Sequence, residues 1–434
     1  GVMVGIDQIL KTAKEKDVDF IGLSGLITPS LDEMIKNAAE MQKQNFQLPL
    51  LIGGATTSKD HTAIKIDPEY EPPVIHVNDA SWVVDVCSSL QSEKKRESFL
   101  KDLKETHERR KKRFYASKDK TPLTPYSEAL KKADPKSYED IEAPEKWGTF
   151  EDHKTIKELR DYLDWSPFFW AWQLKGKFPQ IFENKKYGEE AKKLYQDALE
   201  MLDRWEKEER VKPRARWGLW KANSEGDDVE IYENEKKIET FCFLRQQKEN
   251  SKYHSLADFV APKESKKEDT MGAFVVTTGE EVEKIAKEYE QTNDDYNSIL
   301  AKALGDRLAE AYAELLHKDV RKIWKYGRNE DLTHEDIVRE KYRGIRPAPG
   351  YPACPDHTEK QKIWKLLDVD EKLNVYLTES MAMMPPCSVS GWYFGLSESR
   401  YFNVGKIGED QLRDYAKRKG IELKEMRRWL SPNL

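Results

Sequence analysis

Arg346 heads the stretch Arg346-Pro347-Ala348-Pro349-Gly350-Tyr351-Pro352, where one permanent cation precedes three prolines and a glycine. Proline fixes φ and removes a backbone donor, while glycine lets a ligand touch the peptide plane. A loop so built loses little entropy on binding, which suits a cation held against a small anionic ligand. The same residues also suit a rigid surface turn carrying a solvated arginine. A second candidate feature is acidic. Asp306 and Glu310 stand four apart in a helical stretch, so they share a face on which two carboxylates mildly repel. A solvated helix face fits that spacing too.

Composition narrows the chemistry. The chain has 434 residues, 38% hydrophobic and 35% charged, enough for two or three domains with solvated surfaces. Cys87, Cys242, Cys354 and Cys387 lie far apart without metal-ligand spacing, which argues against a disulfide framework and a zinc site and places the protein in a reducing cytoplasm. No stretch approaches the eighteen or so apolar residues of a membrane span, and no secretory signal opens the chain. A net charge of −6 and a pI near 5.9 make general nucleic-acid binding an unfavourable reading. Arg109, Arg110, Lys111, Lys112 and Arg113 form a basic block. It reads as a solvated helix face or as a docking patch for an acidic partner.

The elements that must position these residues fall into two styles. Over the first ninety residues, apolar runs at Phe20–Leu23, Leu48–Ile52 and Val74–Val77 alternate with amphipathic stretches at Gly5–Lys16, Leu31–Gln44 and Ala80–Leu90. That alternation predicts a parallel sheet covered on both faces, with ligands beyond the carboxyl ends of the strands. Ser24 to Thr28 and Gly53-Gly54 occupy those ends. Ser92–Lys120 reads as a solvated helix ending in a linker, and Pro122, Pro125, Pro135 and Pro144 punctuate an irregular passage. Beyond Phe150, helices are expected at Thr155–Leu163, Tyr187–Glu208 and Ser298–Trp324. Strands are expected at Gly218–Ala222, Val229–Tyr232, Ile238–Phe243, Ala273–Thr277 and Tyr401–Ile407. Irregular alternation of this kind suits an α+β fold with an antiparallel or mixed sheet.

Several segments together carry a resemblance. Arg346–Pro352 followed by Cys354-Pro355-Asp356-His357-Thr358-Glu359-Lys360 resembles the S-adenosylmethionine-binding signature of the activation domain of cobalamin-dependent methionine synthases. Asp164-Trp165-Ser166-Pro167-Phe168-Phe169, Asp294-Asp295-Tyr296 leading into Lys302–Glu310, and Ser390-Gly391-Trp392-Tyr393-Phe394 resemble that domain in the same order. Ser24–Ser30 and Gly53–Ser58 resemble the second half of the cobalamin-binding domain that precedes it. The resemblance implies an α/β, parallel, doubly wound (Rossmann/flavodoxin-like) cobalamin-binding domain, N-terminally incomplete, at 1–92. A charged helical linker at 93–125 and an α+β activation domain at 126–434 follow.

By resemblance, Arg346 pairs with the carboxylate of S-adenosylmethionine, because its planar fork matches two oxygens. Ala348 and Gly350 offer backbone groups to the adenine or amino group, and Asp164 supplies the acid opposite, although its place before Trp165-Ser166-Pro167 also suits a plain helix cap. Tyr401 and Phe402 lie against the ligand in the family, with core filling as the alternative. Glu310 and Glu340 are the expected catalytic residues, their charge favouring the sulfonium. For cobalamin, Gly53 and Gly54 clear a slot, Ser24 and Thr28 offer hydroxyls, and Ala80 lines the same path.

The family's axial cobalt ligand is the histidine of Asp-x-His-x-x-Gly. None of the eight histidines here has that context, so no metal ligand is assigned and the cobalamin site is expected to be incomplete. The implied role is repair: cobalt in the Co(II) state takes one electron from a flavodoxin-like donor and a methyl group from S-adenosylmethionine. The parent enzyme moves methyl from methyltetrahydrofolate to homocysteine to make methionine. Its homocysteine and folate modules, and their zinc, would lie upstream. A corrinoid carrier for another methyltransferase and a non-catalytic S-adenosylmethionine-binding partner are the rival readings.

Overall fold

The computed structural model describes residues 4–25, 29–54, 56–78, 81–118, 122–333, 336–337 and 339–434. They form two compact units: Gly1–Thr124 with Lys248–Asn250 and Glu422–Leu434, and Pro125–Gln247 with Ser251–Ile421.

In the first unit, β1 (Ile21–Ser24), β2 (Leu50–Gly53) and β3 (Val74–His76) form a parallel sheet in the order β1-β2-β3. Successive strand residues face opposite ways. Leu50, Ile52 and Val74 pack with Leu10 and Ala13 of the helix Ile6–Glu15 and with Met34, Ala38 and Met41 of the helix Pro29–Lys43. Leu51 and Ile75 turn the other way, onto Val86 and Leu90 of the helix Ser81–Gln91. Both faces are therefore covered, which is why the strands read as apolar throughout.

The charged stretch after Gln91 forms one helix, Glu93–Lys118, but it is not solvated all round. His107 is buried and its Nδ1 lies 2.9 Å from Asp67, which also accepts from Lys111 Nζ at 2.9 Å, while Arg110 pairs with Asp60. Charge pairing to two acids thus tethers one face of the helix, leaving Arg109, Lys112 and Arg113 exposed.

The second unit is built on six antiparallel strands. The longest, β5 (Arg214–Glu225), pairs β8 (Asp269–Thr277) along one edge; on the other it pairs β4 (Gly148–His153) with its first half and β6 (Asp228–Glu233) with its second. β7 (Lys236–Cys242) continues beyond β6. The two-residue strands β9 (Tyr376–Leu377) and β10 (Met383–Met384) form a separate ladder, and β11 (Ser388–Phe394) pairs with β8. All nine residues of β8 are buried, since both faces of the sheet carry a core.

Alternation assigns those faces. Trp217, Leu219, Phe274, Val276 and Tyr393 point into a core shared with the helices Gly188–Lys207 and Asp295–Ile323. Trp220, Ala222, Ala273, Val275, Trp392 and Phe394 point into the other. Gly305 lets the long helix close in: a Cβ there would stand 2.7 Å from Val282 and 2.8 Å from Cys387.

One expected strand is absent. Tyr401–Ile407 forms none, because its backbone is bonded to loops instead of a sheet edge. Val404 N donates to Pro352 O at 2.9 Å, and Asn403 O accepts from Gln246 Nε2 at 2.8 Å.

Candidate functional site

Strand β11 fixes the Arg346 loop. Ile345 and Phe394 exchange both backbone bonds at 3.0 Å, and Trp392 N donates to Pro347 O at 2.9 Å. The chain around Arg346 thus runs as an added strand on the sheet edge, where Pro347 needs no donor of its own. Gly391 makes room: a Cβ there would lie 2.7 Å from Pro347 O. Beyond it, Gly350 N donates to Cys354 O at 2.7 Å, and Gly350 takes φ +92°.

The Arg346 side chain reaches the helix Asp295–Ile323. Its Nε and Nη2 donate to one oxygen of Glu314, at 3.1 and 2.8 Å, and its backbone N donates to the Tyr401 hydroxyl at 3.1 Å. Tyr342 donates to the same Glu314 oxygen at 3.2 Å. Burial disfavours the guanidinium charge, yet Glu314, Tyr342, Tyr401 and Glu310 together outweigh that and hold its pKa above the ordinary value. Nη1 has no protein partner among the described residues, so one end of the fork remains available.

Two expected acids join this group. Glu310, one turn before Glu314, and Glu340, left-handed at φ 53°, both act electrostatically on Arg346. Tyr351 and Tyr401 flank the loop with 64% and 42% of their surface exposed, leaving two aromatic faces open. A cationic fork end, nearby acids and open rings fit a small zwitterion bearing an aromatic base.

The remaining expected residues make their own contacts. Asp164 caps the helix Trp165–Ala171, accepting from Ser166 N at 3.0 Å, and shares no bond with Arg346, Glu314 or Tyr401 among the described residues. Phe402 turns inward against His254 and Phe259, with centroids 5.7 and 6.2 Å away, so its ring fills core. Ala348 O is engaged by Tyr351 N at 3.3 Å. The residue sequence reasoning missed is Glu314. Its signal was the spacing of Asp306 and Glu310 continued by one more turn.

In the first unit, Ser24 and Gly53 pair at the carboxyl ends of β1 and β2, with Ser24 exposed. Gly54 has φ +103°, and a Cβ there would stand 2.2 Å from Gly25 O, so the two loops close on each other. Its missing side chain admits backbone. Thr28 and Ala80 lie outside the described residues. The set present fits cobalamin in part: small residues and a hydroxyl at strand ends suit a ligand tail, and no Asp-x-His-x-x-Gly imidazole accompanies them. Two surface hollows, of about 420 and 520 Å³, lie elsewhere, one beside Lys154 and Lys212 and one beside Trp364 and Tyr376.

The second unit thus joins an antiparallel sheet, with the arginine loop on its edge strand, to a helix whose Glu314 receives that arginine. A solved structure described as "Crystal Structure of the MetH Reactivation Domain bound to AdoHcy" is 48% identical, with a TM-score of 0.71, over 72% of this chain and 99% of that one. Residues 155–420 match the family "Vitamin B12 dependent methionine synthase, activation domain". The chain belongs to that family.

Proposed function

We propose that the second unit binds S-adenosylmethionine at the Arg346 loop and serves reductive remethylation of cob(II)alamin. The supporting observation is the half-used Arg346 fork: Glu314 fixes one edge, and the other is open to a ligand carboxylate. Tyr401 holds the loop through Arg346 N, and the backbone of Ala348 and Gly350 borders the same space. Glu310 and Glu340 give the site the negative charge that a sulfonium prefers. Asp164 reaches the ligand through the carboxylate oxygen not engaged in capping.

Cobalamin, when bound, would supply the cobalt chemistry of methyl acceptance. Ser24, Gly53 and Gly54, with Thr28 and Ala80, are the residues proposed to hold it. This chain's own residues bind and orient the methyl donor, which is the protein's contribution when a cofactor carries the chemistry. In the parent enzyme the reaction is methyl transfer from methyltetrahydrofolate to homocysteine, with a flavodoxin-like electron donor and upstream homocysteine, folate and cobalamin modules as partners, in the cytoplasm. No helix among the described residues is long and apolar enough to cross a membrane.

A crystal structure of the chain grown with S-adenosylhomocysteine tests the binding step. Density with its carboxylate on Arg346 is expected; density elsewhere, or none at saturating ligand, contradicts the proposal.

A further inference from the structure

We infer that Glu314 is a positioning residue for the carboxylate of the bound nucleoside amino acid, acting through Arg346 and set in place by Tyr342. The inference rests on the proposed S-adenosylmethionine site and names what orients its cation.

An arginine presents two usable edges, the side formed by Nε and Nη2 and the end formed by both Nη nitrogens. Here the side edge is spent on a single oxygen of Glu314, at 3.1 and 2.8 Å. That bond fixes the plane of the guanidinium and leaves Nη1, on the end edge, without a partner among the described residues. Both partners are largely shielded, with 16% and 13% of their side chains exposed, so the pair is weakly screened.

Glu314 is itself held from behind. Tyr342 donates to the oxygen that Arg346 uses, at 3.2 Å. The Tyr342 ring is clamped by the Arg321 guanidinium, 4.1 Å from its centroid, and by the edge-on ring of His317 at 5.0 Å. Arg321 is anchored in turn by Glu330, through bonds of 3.0 and 2.8 Å. His317 is fully buried and neither ring nitrogen has a partner among the described residues, so it enters the clamp as a neutral ring. The path Glu330, Arg321, Tyr342, Glu314, Arg346 is therefore a continuous line of contacts ending at the open fork. A latch would look different. A carboxylate standing in for the ligand would occupy the end edge and be free to swing, whereas Glu314 occupies the side edge and is bonded from both directions.

The test measures affinity for S-adenosylmethionine and for decarboxylated S-adenosylmethionine in the wild-type chain and in Glu314→Gln, Tyr342→Phe and Arg346→Ala. Glu314→Gln is expected to weaken S-adenosylmethionine about tenfold and to leave the decarboxylated analogue unchanged, the scale of one charge-assisted bond. Tyr342→Phe should show a smaller loss with the same selectivity. A general loosening of the fold would weaken both ligands equally, and that result overturns the inference. Tighter binding in Glu314→Gln would make Glu314 a latch and also overturns it. If Arg346→Ala loses selectivity for the carboxylate while Glu314→Gln keeps wild-type affinity, the site reading stands and the positioning role falls. If Arg346→Ala also matches the wild type, both fall.

Discussion

The imidazole of His357 stands where a side chain on residue 350 would have to be: a Cβ built on Gly350 would lie 2.2 Å from His357 Cε1 and 2.4 Å from Nδ1. The glycine of the Arg346 loop is thus required by a neighbour within the protein. Burial keeps that ring neutral, lowering its pKa to about 4, and Lys360 Nζ lies 3.2 Å from its Nδ1.

Gly350→Ala should therefore disturb the loop from below. Its backbone sits at φ +92°, which an alanine adopts only under strain, and the imidazole must move as well. A loss of about 1–3 kcal/mol is expected, read as a shift of the urea midpoint. An unchanged midpoint would show that the ring gives way freely.

Lys360 makes a second prediction. Its ammonium is buried with Met381 O at 2.9 Å and His357 as partners and, among the described residues, no carboxylate on it, and burial lowers its pKa to about 8. The unfolded chain carries an ordinary lysine, so between about pH 8 and 10.5 it binds more protons than the native state. This group's contribution to stability consequently rises with pH across that window, by roughly 3 kcal/mol in all. Denaturant unfolding at both ends of the window, compared with Lys360→Met, checks it: the variant should lack that part of the rise. Parallel profiles for the two proteins would contradict the assignment.

Much of this frame could be read from residue order, and the exceptions share a cause. The parallel strands of the first unit and the long helix Asp295–Ile323 announce themselves because local apolar patterning and burial coincide. Arg346 and Glu310 were legible as chemistry-bearing residues, but Glu314 was not. An acid on a helix face looks solvated until an arginine 32 residues later closes on it. Gly350 reads as a position of close approach, and the need for glycine that the fold adds comes from His357 on its Cβ side. Tyr401–Ile407 has the composition of a strand, yet bonds from Gln246 and to Pro352 claim its backbone. Each depends on a partner distant in the chain.

The basic block yields a third prediction, because its five cations do different things. Arg110 and Lys111 are bound to Asp60 and Asp67, so Lys111→Met should destabilise the first unit by up to about 1 kcal/mol. Arg109, Lys112 and Arg113 remain exposed, where the proposed electron donor, if acidic, would meet them. In a protein extended with the upstream modules, reversing these three charges should slow reductive reactivation at low salt. The effect should fade as the Debye length shrinks toward ~8 Å at physiological salt. Unaltered rates with unaltered salt dependence would make the block a solubilising surface.

The most direct measurement is calorimetric titration of S-adenosylmethionine into the wild-type chain and a folded Arg346→Ala variant. The account predicts saturable binding at one site, weakened by about 1.5–3 kcal/mol in the variant, the scale of a lost charge-assisted bond. Equal affinity in the two proteins would remove Arg346 from the site and contradict the central claim.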